Sequence, residues 1–209
     1  MNCENAVISV RPRAFVRTMG RQNETWFPLR FALIFLFAFL GGMLLYAILS
    51  PSATSFSCSL LVRFETAMTL DLYDLPQNFL LFLSCYRWEL GFLASVFLSS
   101  VTILASIFGG AACLLRGIWC GVALAHALAL FRVGLLPSPF FLAFLGKEAA
   151  FCALLIYFSS RSSALFERFL TLGWHRPFAV CREICSYFIK ILISCLSFLA
   201  MCAMLSLIL

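Results

Sequence analysis

The chain is short of charge. Only 11% of its 209 residues are Asp, Glu, Lys or Arg, where a soluble domain carries about 25%. That deficit excludes a soluble globular domain and leaves no stretch for a second one. Catalytic patterns are lacking as well. No Ser/His/Asp constellation, H-E-x-x-H motif, phosphate-binding loop or dinucleotide fingerprint occurs. The acids outside the apolar runs have no partner that would mark a general acid/base pair. The sequence therefore predicts no enzyme, no cofactor and no metal. No basic patch lies away from the flanks of apolar runs, so the net charge of +6 points to membrane topology and not to nucleic acid. Cysteine is plentiful, at ten residues, but a disulfide framework is missing. Cys113, Cys120, Cys152, Cys195 and Cys202 fall in apolar runs, where Cys behaves as a small hydrophobe. Cys181 and Cys185 have only His175 nearby and no second Cys pair, too little for zinc. Cys58 and Cys85 are the one pair expected outside the membrane, and spacing leaves a disulfide between them open.

What the chain has is apolar length. It is 63% hydrophobic, with 24 Phe. From Leu90 to Phe131 it holds 42 residues with one formal charge, Arg116. A bilayer core needs about 20 apolar residues per helix. The run is thus two spans long, with a tight turn expected at Arg116 on the water surface; a single very long buried helix is the alternative. The fold class predicted is all-α, a polytopic transmembrane bundle of about five spans at 31–49, 91–115, 117–136, 140–160 and 186–209. A basic tail, 1–29, precedes one transmembrane domain, 30–209. Pro12 and Pro28 should break any long helix in that tail. The first run is too long and too late for a cleaved signal peptide. Trp26 and Tyr46 mark its two ends as interfacial aromatics. Arg residues concentrate in the tail and in 161–183, which five crossings place on one side. The N-terminus is then cytoplasmic and Leu209 outside.

Several residues stand out inside this frame. Gly41 and Gly42, and Gly117 with Gly121 at G-x-x-x-G spacing, are helix-packing candidates. His126 is expected as a hydrogen-bonded packing residue. Lys147 and Glu148 interrupt an apolar run; near mid-bilayer each costs about 2.5–3.5 kcal/mol, so they must face protein or water. Arg132 and Glu148 fall at similar depths on either side of the Leu136-Pro137-Ser138-Pro139 turn. They are expected to form a charge clamp, not a proton path, because no second intramembrane acid is evident. The segment 50–89 is the one sizeable acidic connection. Its apolar stripe, Leu61, Phe64, Met68, Leu72 and Leu75, predicts an amphipathic helix stopped at Pro76 that lies on the membrane surface or, as is commoner for a short helix, covers the outer ends of the bundle, with Phe64 and Met68 as partner-docking residues. Tyr86 and Trp88 should mark a headgroup level.

The arrangement resembles the stage II sporulation protein M family of spore-forming bacteria. The resemblance rests on the basic tail, a first helix with Gly41-Gly42, an outer helical segment and then the hairpin expected at 90–131 with its turn at Arg116. In it Arg116, Gly117 and Gly121 fit a basic residue followed by Gly and another Gly four later. A Pro-containing outer turn and a final hydrophobic helix match in order. The turn here reads Leu-Pro-Ser-Pro, without a polar amide after its first Pro, and Lys147-Glu148 is unusual for that family. The resemblance covers roughly 20–209 as an architecture and implies a non-enzymatic protein of the bacterial cell membrane. Such a protein would serve the machinery that remodels the septal wall during forespore engulfment. Its implied partners are membrane lipids, a peptidoglycan-degrading enzyme and another membrane-anchored protein. The competing expectation is a small permease or the membrane subunit of a transporter, which would need a polar site at mid-bilayer, often at a broken helix.

Overall fold

A computed structural model describes residues 12–49, 61–67, 75–100, 102, 104–172 and 177–208. Among them every regular element is a helix: α1 (Pro12–Ile48), α2 (61–67), α3 (Leu75–Cys85), α4 (Arg87–Ser99), α5 (Ala105–Arg132), α6 (Ser138–Leu172) and α7 (Pro177–Ile208). Four are long and apolar enough to cross a membrane: Trp26–Ile48, Ala105–Arg132, Ser138–Leu170 and Cys181–Leu205. The consecutive pieces Asn78–Cys85 and Arg87–Ser99, bent by 63° at Tyr86, make a fifth if counted as one broken span. The polytopic helical bundle is the fold that the sequence predicts.

Helix α5 is the centre, and its composition explains why. Its buried face is almost entirely small: Ala105, Gly109, Ala112, Cys113, Gly117, Cys120, Gly121, Ala123 and Ala127. Between apolar lipid tails there is little hydrophobic drive for helices to associate, so close backbone approach does that work. Against this face lie α1, α6 and α4. A Cβ on Gly42 would meet the Ile118 carbonyl, one on Gly117 would lie 2.7 Å from Ala38 Cβ, and one on Gly121 would strike the Phe39 carbonyl. Three of the four glycine candidates thus mark one seam. Gly41 does not; a Cβ there meets nothing within 4 Å.

The seam also sets the relative direction of α1 and α5. Gly109 neighbours Phe31, Gly110 Ile34, Gly117 Ala38 and Gly121 Met43, and Tyr46 reaches His126. The two sets of numbers rise together, so α1 and α5 run parallel. Chain leaving the far end of α1 must return through the height of the bundle before α5 begins. Among the described residues, the helices between them are the short α2 and the bent α3–α4 pair, the pair alone about 36 Å of helix if laid end to end.

Several expected boundaries are corrected. The turn placed at Arg116 does not exist: α5 runs straight through it, and the predicted spans 91–115 and 117–136 are replaced by the broken α3–α4 pair and by α5. Among the described residues α4 ends at Ser99 and α5 begins at Ala105, and hydroxyls between them bond the preceding turn: Ser99 Oγ donates to Val96 O at 2.9 Å, Ser100 Oγ to Phe97 O at 2.6 Å and Thr102 Oγ1 to Ser99 O at 2.8 Å. These local bonds compete with the helix ladder. Pro12 and Pro28 do not break the first helix. Pro12 is its first residue, where no N–H is needed, and Pro28 is carried inside it. Pro76 opens α3 and does not close an amphipathic helix. Helices α6 and α7 extend beyond the predicted spans 140–160 and 186–209.

The predicted Pro-Ser-Pro turn is present. Helix α5 ends before it with Gly134 at φ +77°. Gly134 N–H bonds Phe131 O and Leu135 N–H bonds Leu130 O, each at 3.0 Å. Only glycine adopts that left-handed cap without steric cost.

Candidate functional site

Four charges meet inside the bundle. Arg116 on α5 donates from Nη2 to Glu148 Oε2 on α6 at 2.5 Å and to Glu89 Oε1 on α4 at 3.4 Å. Lys147 Nζ lies 2.7 Å from Glu148 Oε1 and 3.5 Å from Glu89 Oε1. All four are sealed, with Arg116 at 0% exposure and Glu148, the most exposed, at 5%. Two cations face two anions, so the group is neutral as a whole. That balance is what makes it tolerable at this depth, since an isolated buried ion costs several kcal/mol or more. Aromatic faces complete the setting. Lys147 Nζ lies 5.3 Å from the Phe64 ring centre, 5.4 Å from that of Phe144 and 5.9 Å from that of Tyr86. Arg116 Cζ stands 4.8 Å over Phe151. Each such contact contributes about 0.5–2 kcal/mol.

Helical phase delivers these side chains. On α6, Ala143, Phe144, Lys147, Glu148, Phe151, Cys152, Leu155 and Phe158 recur at three- and four-residue steps, and all are buried. Lys147 and Glu148 therefore face protein, as expected. On α4, Glu89 shares its stripe with Leu93, Val96 and Ser99. The expected clamp exists, with other members. Arg132 stays exposed at the end of α5, and Glu148 pairs with Arg116 instead. The second acid of the cluster, which the sequence reading does not supply, is Glu89. Its signal in the sequence is partial: at the edge of the long apolar run, Glu89 stands four and seven residues before Leu93 and Val96, in phase with an apolar stripe.

The docking expectation at the outer segment also changes. Phe64 is 2% exposed. It packs edge-on against Phe140 and Phe144, with centroids 5.0 and 5.5 Å apart, so the stripe of α2 faces inward and Phe64 is no free docking residue. Met68 lies outside the described residues. Tyr86 is 2% exposed at the α3–α4 break and faces the bundle interior, whereas Trp88 is exposed and sits edge-on to Trp119. His126 is the packing residue expected, its Nδ1 3.1 Å from the Tyr46 hydroxyl. Cys85 carries a free thiol, and Cys58 lies outside the described residues.

One group could be considered for a metal. Ligand atoms of Cys120, Glu148 and Cys152 lie within 4.8 Å of one another, all buried. Both oxygens of Glu148, however, already face Arg116 and Lys147. A metal cation would meet two positive charges there, so the donor set favours thiols that fill space. The chemistry of the cluster is electrostatic. It ties α4, α5 and α6 through groups that cannot leave singly without stranding a charge. Two clefts lie elsewhere, one beside the α3–α4 break at Arg63, Ser84 and Arg87 and one between α6 and α7.

Comparison of the chain with protein-family models, with curated proteins and with solved structures finds no match.

Proposed function

We propose that this chain is a non-enzymatic scaffold of the bacterial cell membrane that organises peptidoglycan remodelling during forespore engulfment. The observation that carries the class is the sealed, neutral charge cluster. Its four heads pair with one another across three helices, which suits a rigid frame better than a site that must open to load a solute. The process comes from the resemblance. The residues that carry that resemblance, Arg116, Gly117 and Gly121, are those at the centre of the bundle: one enters the cluster and two seat α1. A peptidoglycan-degrading enzyme and a second membrane-anchored protein are the partners this reading requires. Their docking surface has to lie elsewhere than at Phe64. Deleting the gene in a spore-forming host should stall engulfment after septation while vegetative growth continues. Normal spores from the deletion strain would remove the proposal.

One observation favours the transporter reading. The α3–α4 span is broken by 63° at Tyr86, one turn before Glu89, and broken helices beside intramembrane charge recur in solute carriers. Purified protein in liposomes separates the two. The scaffold reading predicts no uptake above empty vesicles in a solute screen; uptake abolished by Glu89→Gln would establish the transporter.

A further inference from the structure

The second cleft lies between the inner halves of α6 and α7. It measures about 160 Å³ and is lined by Tyr157, Arg161, Leu165, Arg168, Glu183 and Lys190 among others. Three cations against one carboxylate leave two positive charges. Arg168 and Glu183 answer each other at 3.5 Å. Among the described residues neither Arg161 nor Lys190 has a carboxylate within ion-pair distance. Arg161 lies over the Tyr157 ring, 5.7 Å from its centre.

Depth decides what such a cleft can hold. Arg168 meets Glu183 at 3.5 Å and the rings of Phe151 and Phe198 lie 5.6 Å apart, so the two antiparallel helices set Lys190 within one turn of the level of Arg161. Tyr187 lies between these pairs, its Oη donating to Phe158 O at 2.9 Å. Arg161 follows directly on the apolar run of α6, at its water end. A lysine in that position snorkels back toward the boundary, so the two unanswered cations converge at the edge of the hydrocarbon. One turn beyond Lys190, Ile193 is 57% exposed, and Tyr157 on α6 is 44% exposed. The cleft is thus cationic on its water side and apolar on its lipid side.

We propose that this cleft binds the phosphate of an anionic phospholipid in the leaflet that faces the basic tail. The phosphate lies between Arg161 and Lys190, and an acyl chain lies along Ile193. Basic pockets between transmembrane helices on the positive-inside face are where such headgroups are held. A free phosphate would satisfy the cations but leave the apolar rim uncovered. The proposal rests on α6 and α7 crossing the membrane, and not on the scaffold reading.

The test is native mass spectrometry of the full-length protein in detergent with phosphatidylglycerol or phosphatidylcholine added, and with inorganic phosphate as a third arm. Two cations near the headgroup should favour the anionic lipid by about thirty-fold, or about five-fold for each charge. Arg161→Gln and Lys190→Gln should each lower the preference about five-fold and together abolish it. Arg161→Lys and Arg132→Gln, the latter at the opposite end of the bundle, should leave it unchanged. Should the double variant fail to fold, Lys190→Gln alone, at an exposed position, decides. Equal retention of the two lipids overturns the proposal. So does a preference that survives loss of both cations, or displacement of the lipid by millimolar inorganic phosphate.

Discussion

Arg116 shows how one residue can mislead and then organise a structure. In the sequence it divides a long apolar run and invites a turn. In the bundle it is the most deeply buried charge, and Glu89, Lys147 and Glu148 are arranged about it. Hydropathy counts a charge as a water signal, and only its helical phase says otherwise. Arg116 sits four residues from Ala112 and from Cys120, on the small-residue face of α5. Lys147 and Glu148 were legible because two adjacent charges deep in an apolar run have nowhere to go but inward. Their partner was not, since cross-helix pairing depends on tilt and side-chain reach. Arg132 was the nearer guess along the chain, and it is exposed. Arg132→Gln should therefore shift stability by less than about 0.5 kcal/mol, measured by thermal unfolding in detergent. Phe64 offers a second check at this scale. As a wall of the Lys147 cage, Phe64→Ala should cost about 3–5 kcal/mol through the cavity it leaves. A docking residue on the surface would cost almost nothing, and wild-type stability of that variant would return Phe64 to the surface.

At the scale of elements, the α1–α5 seam was half visible. G-x-x-x-G spacing identified the α5 side, and Gly41-Gly42 identified α1 without saying which glycine faces in. The structure separates them, since Gly42 touches the Ile118 backbone and Gly41 touches nothing. Gly121→Ala should destabilise by about 1–3 kcal/mol, because the added methyl meets a backbone carbonyl that no rotamer can move. Gly41→Ala should hold stability constant or raise it by up to about 1 kcal/mol through helix propensity. Equal melting temperatures for the two variants would deny the seam. The break before α5 was the least legible element. Val101 to Leu104 carries no charge, and the run stays apolar across it. The available signal was the Ser99-Ser100-x-Thr102 cluster, whose hydroxyls compete for backbone carbonyls. Gly134 gave a clearer mark, a glycine just past the last helical residue of α5.

Across the whole molecule, four long apolar helices and one bent pair make four or five candidate crossings, and two of the five predicted spans lie elsewhere than expected. Total apolar length constrains that number independently of any one boundary, whereas Arg116, expected at the water surface, is buried. Parallel packing of α1 and α5 favours the bent pair as the fifth crossing. An export-dependent reporter should accordingly be active when fused after Leu135 or Leu209 and inactive after Thr102. Activity after Thr102 would show that the bent α3–α4 pair enters and leaves on one side. The central claim is that a neutral four-charge cluster binds three helices at the core. It is tested most directly by a double-mutant cycle on Arg116 and Glu148, read as unfolding free energy in one detergent. Arg116→Gln and Glu148→Gln should each cost about 3–5 kcal/mol, since each strands a buried charge. The double variant leaves Lys147 facing Glu89 and should cost less than the sum by about 2 kcal/mol or more. Single losses that add to within about 0.5 kcal/mol would contradict the account.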